Sequence, residues 1–235
     1  TDSMSDLNNT AAQDPIWSRH TLTVGRDLGK GFNISINPQF KLVHTDPGAN
    51  GARGFLWNDS YLKLAKGDLL SAKIGNQEIG LAADIRYYAP TSHAAIINSS
   101  YGSVRASIAP SIQLSNRFSL ESGSYIKAWM LSRPNDINSG AALNNIELYT
   151  SVQFNAQITQ SVKAWVLYEA ITNRATDGEW SNGSNPRFAG RALTDLEPGV
   201  DIQLGEHFTV SPFLNWYPTL PVSTTTWNLA LTASM

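Results

Sequence analysis

The sequence predicts an all-β chain folded as an antiparallel, transmembrane, up-and-down β-barrel of about twelve strands. Three observations carry that expectation. Apolar and polar residues alternate at period two over stretches longer than an ordinary strand of about five or six residues. The connections between these stretches alternate between tight turns and long loops. Charged residues make up only 15% of the 235 residues, yet hydrophobic residues reach no more than 42%. Soluble domains carry roughly 25% charge. Here Ser, Thr, Asn, Gln and Gly take its place, not a larger apolar core.

The elements follow in order. Residues 1–16 are polar and weakly patterned, and fit a tail, a lead strand or a helix within the lumen. Residues 17–235 form the barrel domain. A short alternating strand covers 20–26. The stretch FNISINPQFKLVHT (32–45) then sets Phe32, Ile34, Ile36, Pro38, Phe40 and Leu42 on one face. Asn33, Ser35, Asn37, Gln39 and Lys41 lie on the other. A less regular strand is expected at 57–65 and a clearer one at 79–88. Val104, Ala106, Ile108, Pro110 and Ile112 oppose Ser103, Arg105, Ser107 and Ser111 over 101–114. Similar alternation fills 117–130, 146–158 and 161–173, and shorter versions cover 196–204, 208–218 and 225–235. That makes eleven strands. Bacterial single-chain barrels have even strand counts with both termini on one side, so a twelfth is expected ahead of His20 or within 66–77.

The turns at 28–32, 115–118, 159–162 and 204–208 are short and built on Gly, Asn and other polar residues. The loops at 45–54, 89–100, 132–145 and 175–190 are long and bear Pro or Gly. One end of the structure is therefore expected to be trimmed and the other elaborated.

Alternation alone does not say which face is inside. A soluble sandwich or a lipocalin-like barrel turns the apolar face inward. A transmembrane barrel turns it out to lipid. Strand length favours the last, because tilted strands need about 9–11 residues to cross the hydrocarbon. So does the asymmetry of turns and loops. Aromatic residues near strand ends (Trp17, Phe32, Tyr87, Tyr88, Phe118, Phe208, Trp216 and Tyr217) fit the interfacial girdles of such barrels. Backbone groups in hydrocarbon must all be paired, so a sheet there must close.

These features resemble porin-like outer-membrane barrels over nearly the whole chain. The last strand, TTTWNLALTASM, resembles their terminal assembly signal, with Met235 in place of the usual aromatic residue. The phrases NDSY (58–61), DIRYYAPTS (84–92) and SRPND (132–136) resemble a porin-like family of predatory bacteria. In that family small barrels are thought to associate into rings that enclose lipid. The resemblance implies the bacterial outer membrane, membrane lipid, a homo-oligomer and the outer-membrane assembly machinery as partners.

Other classes find little support. A net charge of −2 gives no case for nucleic acid. Cys is absent, so thiolate metal sites and Cys nucleophiles are excluded. No phosphate loop, metal-ligand spacing or dinucleotide fingerprint occurs, and no cofactor, metal or enzymatic activity is expected. A chain starting at Thr1 fits a processed, exported protein. Ser181-Asn182-Gly183 resembles the Ser-Asn-Gly motif of outer-membrane phospholipases. The His expected just before the Ser is missing, and a nucleophilic Ser needs a base within reach.

The candidate lumen-facing residues are Lys41, Asp84, Arg86, Arg105, Glu121, Lys127, Glu147, Lys163 and Glu169, with Asp195, Glu197 and Asp201 on the same polar face. Both signs of charge occur. The set reads as an eyelet that filters solutes, or as a ladder of ion pairs filling a narrow lumen. Tyr125, Trp129, Tyr149 and Trp165 on that face favour a constricted lumen. Phe32, Ile34, Ile36, Val104, Ile108, Ile112, Trp227, Leu229 and Leu231 are the candidates to face lipid or a neighbouring barrel. The expected function is a porin-like barrel with a narrow or side-chain-filled lumen. The alternative is an oligomeric structural barrel that encloses or organises lipid.

Overall fold

The alternating stretches become long antiparallel strands. The computed structural model describes residues 16–45, 54–75, 77–181, 193–218 and 225–233. The strands are β1 Ile16–Thr21, β2 Val24–Gly29, β3 Phe32–Asn37, β4 Gln39–Thr45, β5 Gly54–Trp57, β6 Tyr61–Ile74 and β7 Gln77–Tyr88. After the short helix α1 His93–Ile97 come β8 Ser100–Gln113, β9 Phe118–Leu131, β10 Asn144–Gln157 and β11 Val162–Ala175. The last are β12 Trp180–Ser181, β13 Leu193–Leu204, β14 Phe208–Asn215 and β15 Thr226–Ala233. Residues 1–15, almost all of the expected N-terminal segment, lie outside the described residues, as do Ser234 and Met235.

The large sheet runs β15-β14-β13-β11-β10-β9-β8-β7-β6-β3-β2, with β12 paired to β11 off this path. Every pairing is antiparallel, and each neighbour on the path follows in chain order apart from the strands that leave it. This is an up-and-down meander. The expected closed barrel is not found among the described residues: β2 and β15 end the path and do not pair with each other.

A second, three-stranded sheet, β1-β4-β5, accounts for part of the difference. Its strands continue β2, β3 and β6 beyond three interruptions. The stretch 32–45, expected as one strand, is broken at Pro38 into β3 and β4. Proline has no N–H and cannot continue the hydrogen-bond ladder. Its carbonyl accepts from the Leu22 N–H at 3.1 Å, and the next carbonyl, of Gln39, accepts from the Asn58 N–H at 3.0 Å. The small sheet carries an aromatic cluster. His20 stacks on Phe40 at 4.9 Å, Phe40 on Phe55 at 5.2 Å, and Trp57 stands edge-on to Phe55 at 5.1 Å.

The expected strand at 57–65 also differs. Residues 61–74 form one strand, which turns at Gly75 and pairs back along β7. The register shifts between Lys66 and Leu70. The tight turn after β2 forms as its sequence suggests. Gly29, Lys30 and Gly31 all take positive φ (81°, 52° and 75°), which Gly tolerates without strain. The Asp27 carboxylate accepts from the Gly29 N–H at 2.7 Å.

The partition of side chains is inverted relative to a water-soluble fold. The only buried hydrophobic residue among those described is Ala230. The other buried side chains are polar, among them Ser35, Asn37, Ser103, Ser151, Asn155, Asn173, Asp195 and Asn228. Large apolar residues lie exposed on the opposite face, such as Ile36, Leu64, Ile85, Ile108, Ile126 and Leu231.

Candidate functional site

Residues directly opposite on neighbouring strands share a face of the sheet. One such row crosses seven strands of the polar face: Ser35, Lys63, Arg86, Arg105, Lys127, Glu147 and Asn173. Four consecutive members are cations. A second row lies beside it, from Asp84 through Ser107 and Tyr125 to Tyr149.

The two rows interlock. Arg86 donates to Asp84 through Nε at 2.6 Å and Nη2 at 3.2 Å. Ser107 Oγ donates to Asp84 at 3.4 Å and accepts from Arg105 Nε at 2.9 Å. The Arg105 guanidinium lies 3.8 Å from the centre of the Tyr125 ring. That close, over a ring face, a cation gains electrostatic attraction. The Tyr125 hydroxyl donates to Glu147 at 2.8 Å, and Tyr125 stacks on Tyr149 at 4.7 Å and 12°. Tyr149 in turn donates to Glu169. Lys127 leans the other way, 4.7 Å from the Tyr88 ring and 4.5 Å from Trp129.

Beyond Glu169 the charge turns negative. Glu169 stands directly opposite Asp195. Glu197 joins them, and one carboxylate oxygen from each falls within 4.8 Å of the others. Asn215 Nδ2 donates to Asp195 at 2.8 Å and also to Glu197. Three carboxylates so placed are the ligand type that hard divalent cations take. None of the ion pairs among the described residues includes them. The polar face thus carries a basic stretch on β6–β9 and an acidic one on β11–β13.

Other candidates stand further off. Lys163 pairs with Asp201 at 2.9 Å. Glu121 accepts from Asn155 at 2.9 Å. Lys41 sits in the small sheet opposite Arg19 and Leu56, away from the basic row. On the other face Phe32, Ile36, Val104, Ile108, Trp227 and Leu231 are exposed, and Ile34, Ile112 and Leu229 are partly exposed. The Ser181-Asn182-Gly183 motif falls mostly outside the described residues.

Some participants carry no signal in the sequence. Ser103 Oγ and both amide atoms of Asn173 are buried without a partner among the described residues. Tyr61 and Tyr88 support cations. Alternation places such residues on a face but not in a row. No protein-family model matches the chain, and no curated protein does.

Proposed function

We propose that the protein is a porin-like β-barrel of the bacterial outer membrane, with a lumen narrowed by its own side chains. The inverted partition carries this reading. Monomeric soluble proteins rarely expose contiguous apolar patches beyond a few hundred Å². Here one face of an eleven-strand path is apolar and exposed, while Ser, Asn and Asp are buried. Hydrocarbon is the solvent that suits such a face. It also demands that the free edges of β2 and β15 be satisfied, because unpaired backbone groups in lipid cost several kcal/mol each. Closure of the sheet would satisfy them.

The polar face sets the width of the lumen. Tyr125 and Tyr149 project into it as a stacked pair, and Trp165 covers Gly199. The same crowding favours a second reading, a structural barrel whose outer surface organises lipid in an oligomer. Single-channel recording of the detergent-folded protein in a planar bilayer separates the two. Discrete, reproducible steps support a conducting lumen. A folded, heat-modifiable but silent protein, with lipid bound to a multimer, supports the second reading. A chain that folds and stays monodisperse without detergent overturns both.

A further inference from the structure

We propose that the ladder Lys63–Arg86–Arg105–Lys127 binds a small phosphate-bearing solute. The assignment rests on the polar face being enclosed, as in the barrel reading above. The four cations occupy directly opposed positions on four adjacent strands. Neighbouring strands lie about 4.8 Å apart, and like charges so opposed destabilise a sheet.

The protein answers only part of this charge. Among the described residues, Asp84 pairs with Arg86, and no carboxylate lies within ion-pair distance of Lys63, Arg105 or Lys127. Glu147 stands opposite Lys127, but its Oε1 accepts from Tyr125. The three cations are nevertheless half-buried. Half-buried charge without a partner costs free energy. Arg105 spends Nε on Ser107 and lays its plane on Tyr125, and its terminal N–H groups have no acceptor among the described residues. Lys127 rests on two rings and donates no hydrogen bond to the described residues. Two residues before Arg105 on β8, on the same face, the buried Ser103 hydroxyl also has no partner among the described residues.

A multiply charged tetrahedral oxyanion suits this arrangement. Its several oxygens can accept from long side chains that converge from adjacent strands, and guanidinium matches phosphate in bidentate fashion. The rings hold the cations in place from beneath and keep their outer donors for the anion.

The test is a titration of the full-length, detergent-folded protein with inorganic phosphate, followed by calorimetry at low salt. Saturable binding is expected. Arg105→Gln should weaken it by about tenfold or more, the range for hydrogen bonds to charged groups. Lys163→Gln, whose cation is paired elsewhere, should leave it unchanged. Circular dichroism checks the fold of each variant, and Lys63→Gln replaces Arg105→Gln if that variant does not fold. Binding in lipid-free detergent identifies a free phosphate, and binding only of added phosphatidylglycerol would overturn the soluble-solute assignment. Absence of saturable binding, or binding indifferent to both substitutions, would also overturn it. Channel steps without phosphate binding defeat this inference but spare the porin reading. Phosphate binding by a silent protein does the reverse.

Discussion

Trp165 lies flat across Gly199. The two residues are directly paired between β11 and β13, and a Cβ on Gly199 would collide with the indole ring. In that pose the indole Nε1 donates to Asp201 at 2.8 Å, and the ring meets Phe213 at 5.7 Å. Gly199 is therefore a seat for the indole. Gly199→Ala should push the ring off and break the bond to Asp201. The expected loss is about 1–3 kcal/mol, typical of overpacking. Urea unfolding of the detergent-folded protein, followed by tryptophan fluorescence, measures it. Unchanged stability would mean that the ring has room to move.

The carboxylates on β11 and β13 crowd one another without a described cation between them. Glu169 and Asp195 are directly opposed, and like charges in that relation destabilise by roughly 0.2–1 kcal/mol. Glu169→Gln keeps a group that can accept from Tyr149 and removes one charge. It should raise the unfolding midpoint. A lowered midpoint would show that the carboxylates are held by a compensating charge.

Outside the strands, Asp136 organises the loop between β9 and β10. Its carboxylate accepts from the Ser139 N–H at 2.8 Å, the Asn138 N–H at 3.0 Å and the Ser139 hydroxyl at 3.0 Å. The Ser139 N–H, with help from Asn98, holds the Asp136 carboxyl below its ordinary range. A depressed carboxyl contributes order above its unfolded pKa of about 3.9, and that order is lost as pH falls through the lower folded value. Amide exchange at Asn138 and Ser139 should therefore stay protected at pH 5 and lose protection below about pH 4, once the acid catalysis of exchange is corrected. In Asp136→Asn that acid step should vanish.

These features differ in how far the sequence reveals them. The two faces are legible because a strand alternates strictly, so Arg105 and Ile108 separate on sight. The break at Pro38 is hidden, because Pro38 occupies an even position and extends the apolar series. Residues 66–74 conceal a strand for another reason. Leu69 and Leu70 are adjacent, and the register shift between Lys66 and Leu70 changes the phase of alternation. The basic row is illegible from any single strand. It exists because the turns fix the register of four strands against one another, and turn geometry, not composition, determines which polar-face positions meet.

The aromatic pair on the polar face offers a measure of lumen width. Tyr125 and Tyr149 are stacked and tied to Glu147 and Glu169. Tyr125→Ala removes one ring and also the face beneath Arg105. In a conducting barrel, single-channel conductance should then rise, by about twofold if the pair forms the constriction, since pore-lining bulk sets the barrier. No change would place the narrowest point elsewhere, with Trp165 next in line.

The exposed face gives the sharpest contrast between lipid and water. Ile126 sits midway along β9, in a row with Ile85, Ala106 and Leu148. It is 48% exposed. In water, Ile126→Arg would be neutral or would improve solubility, because a single surface substitution rarely exceeds about 0.5 kcal/mol. In a bilayer, an Arg at the midplane of a barrel costs about 2–4 kcal/mol, falling toward zero at the interfaces. Refolding into vesicles across a urea series should therefore show a large loss for Ile126→Arg. A much smaller loss is expected for Phe118→Arg at the strand end. Equal, negligible losses at both positions would mean that this face does not meet hydrocarbon. Equal, large losses would place Phe118 as deep as Ile126 and move the membrane boundary beyond the β8–β9 turn.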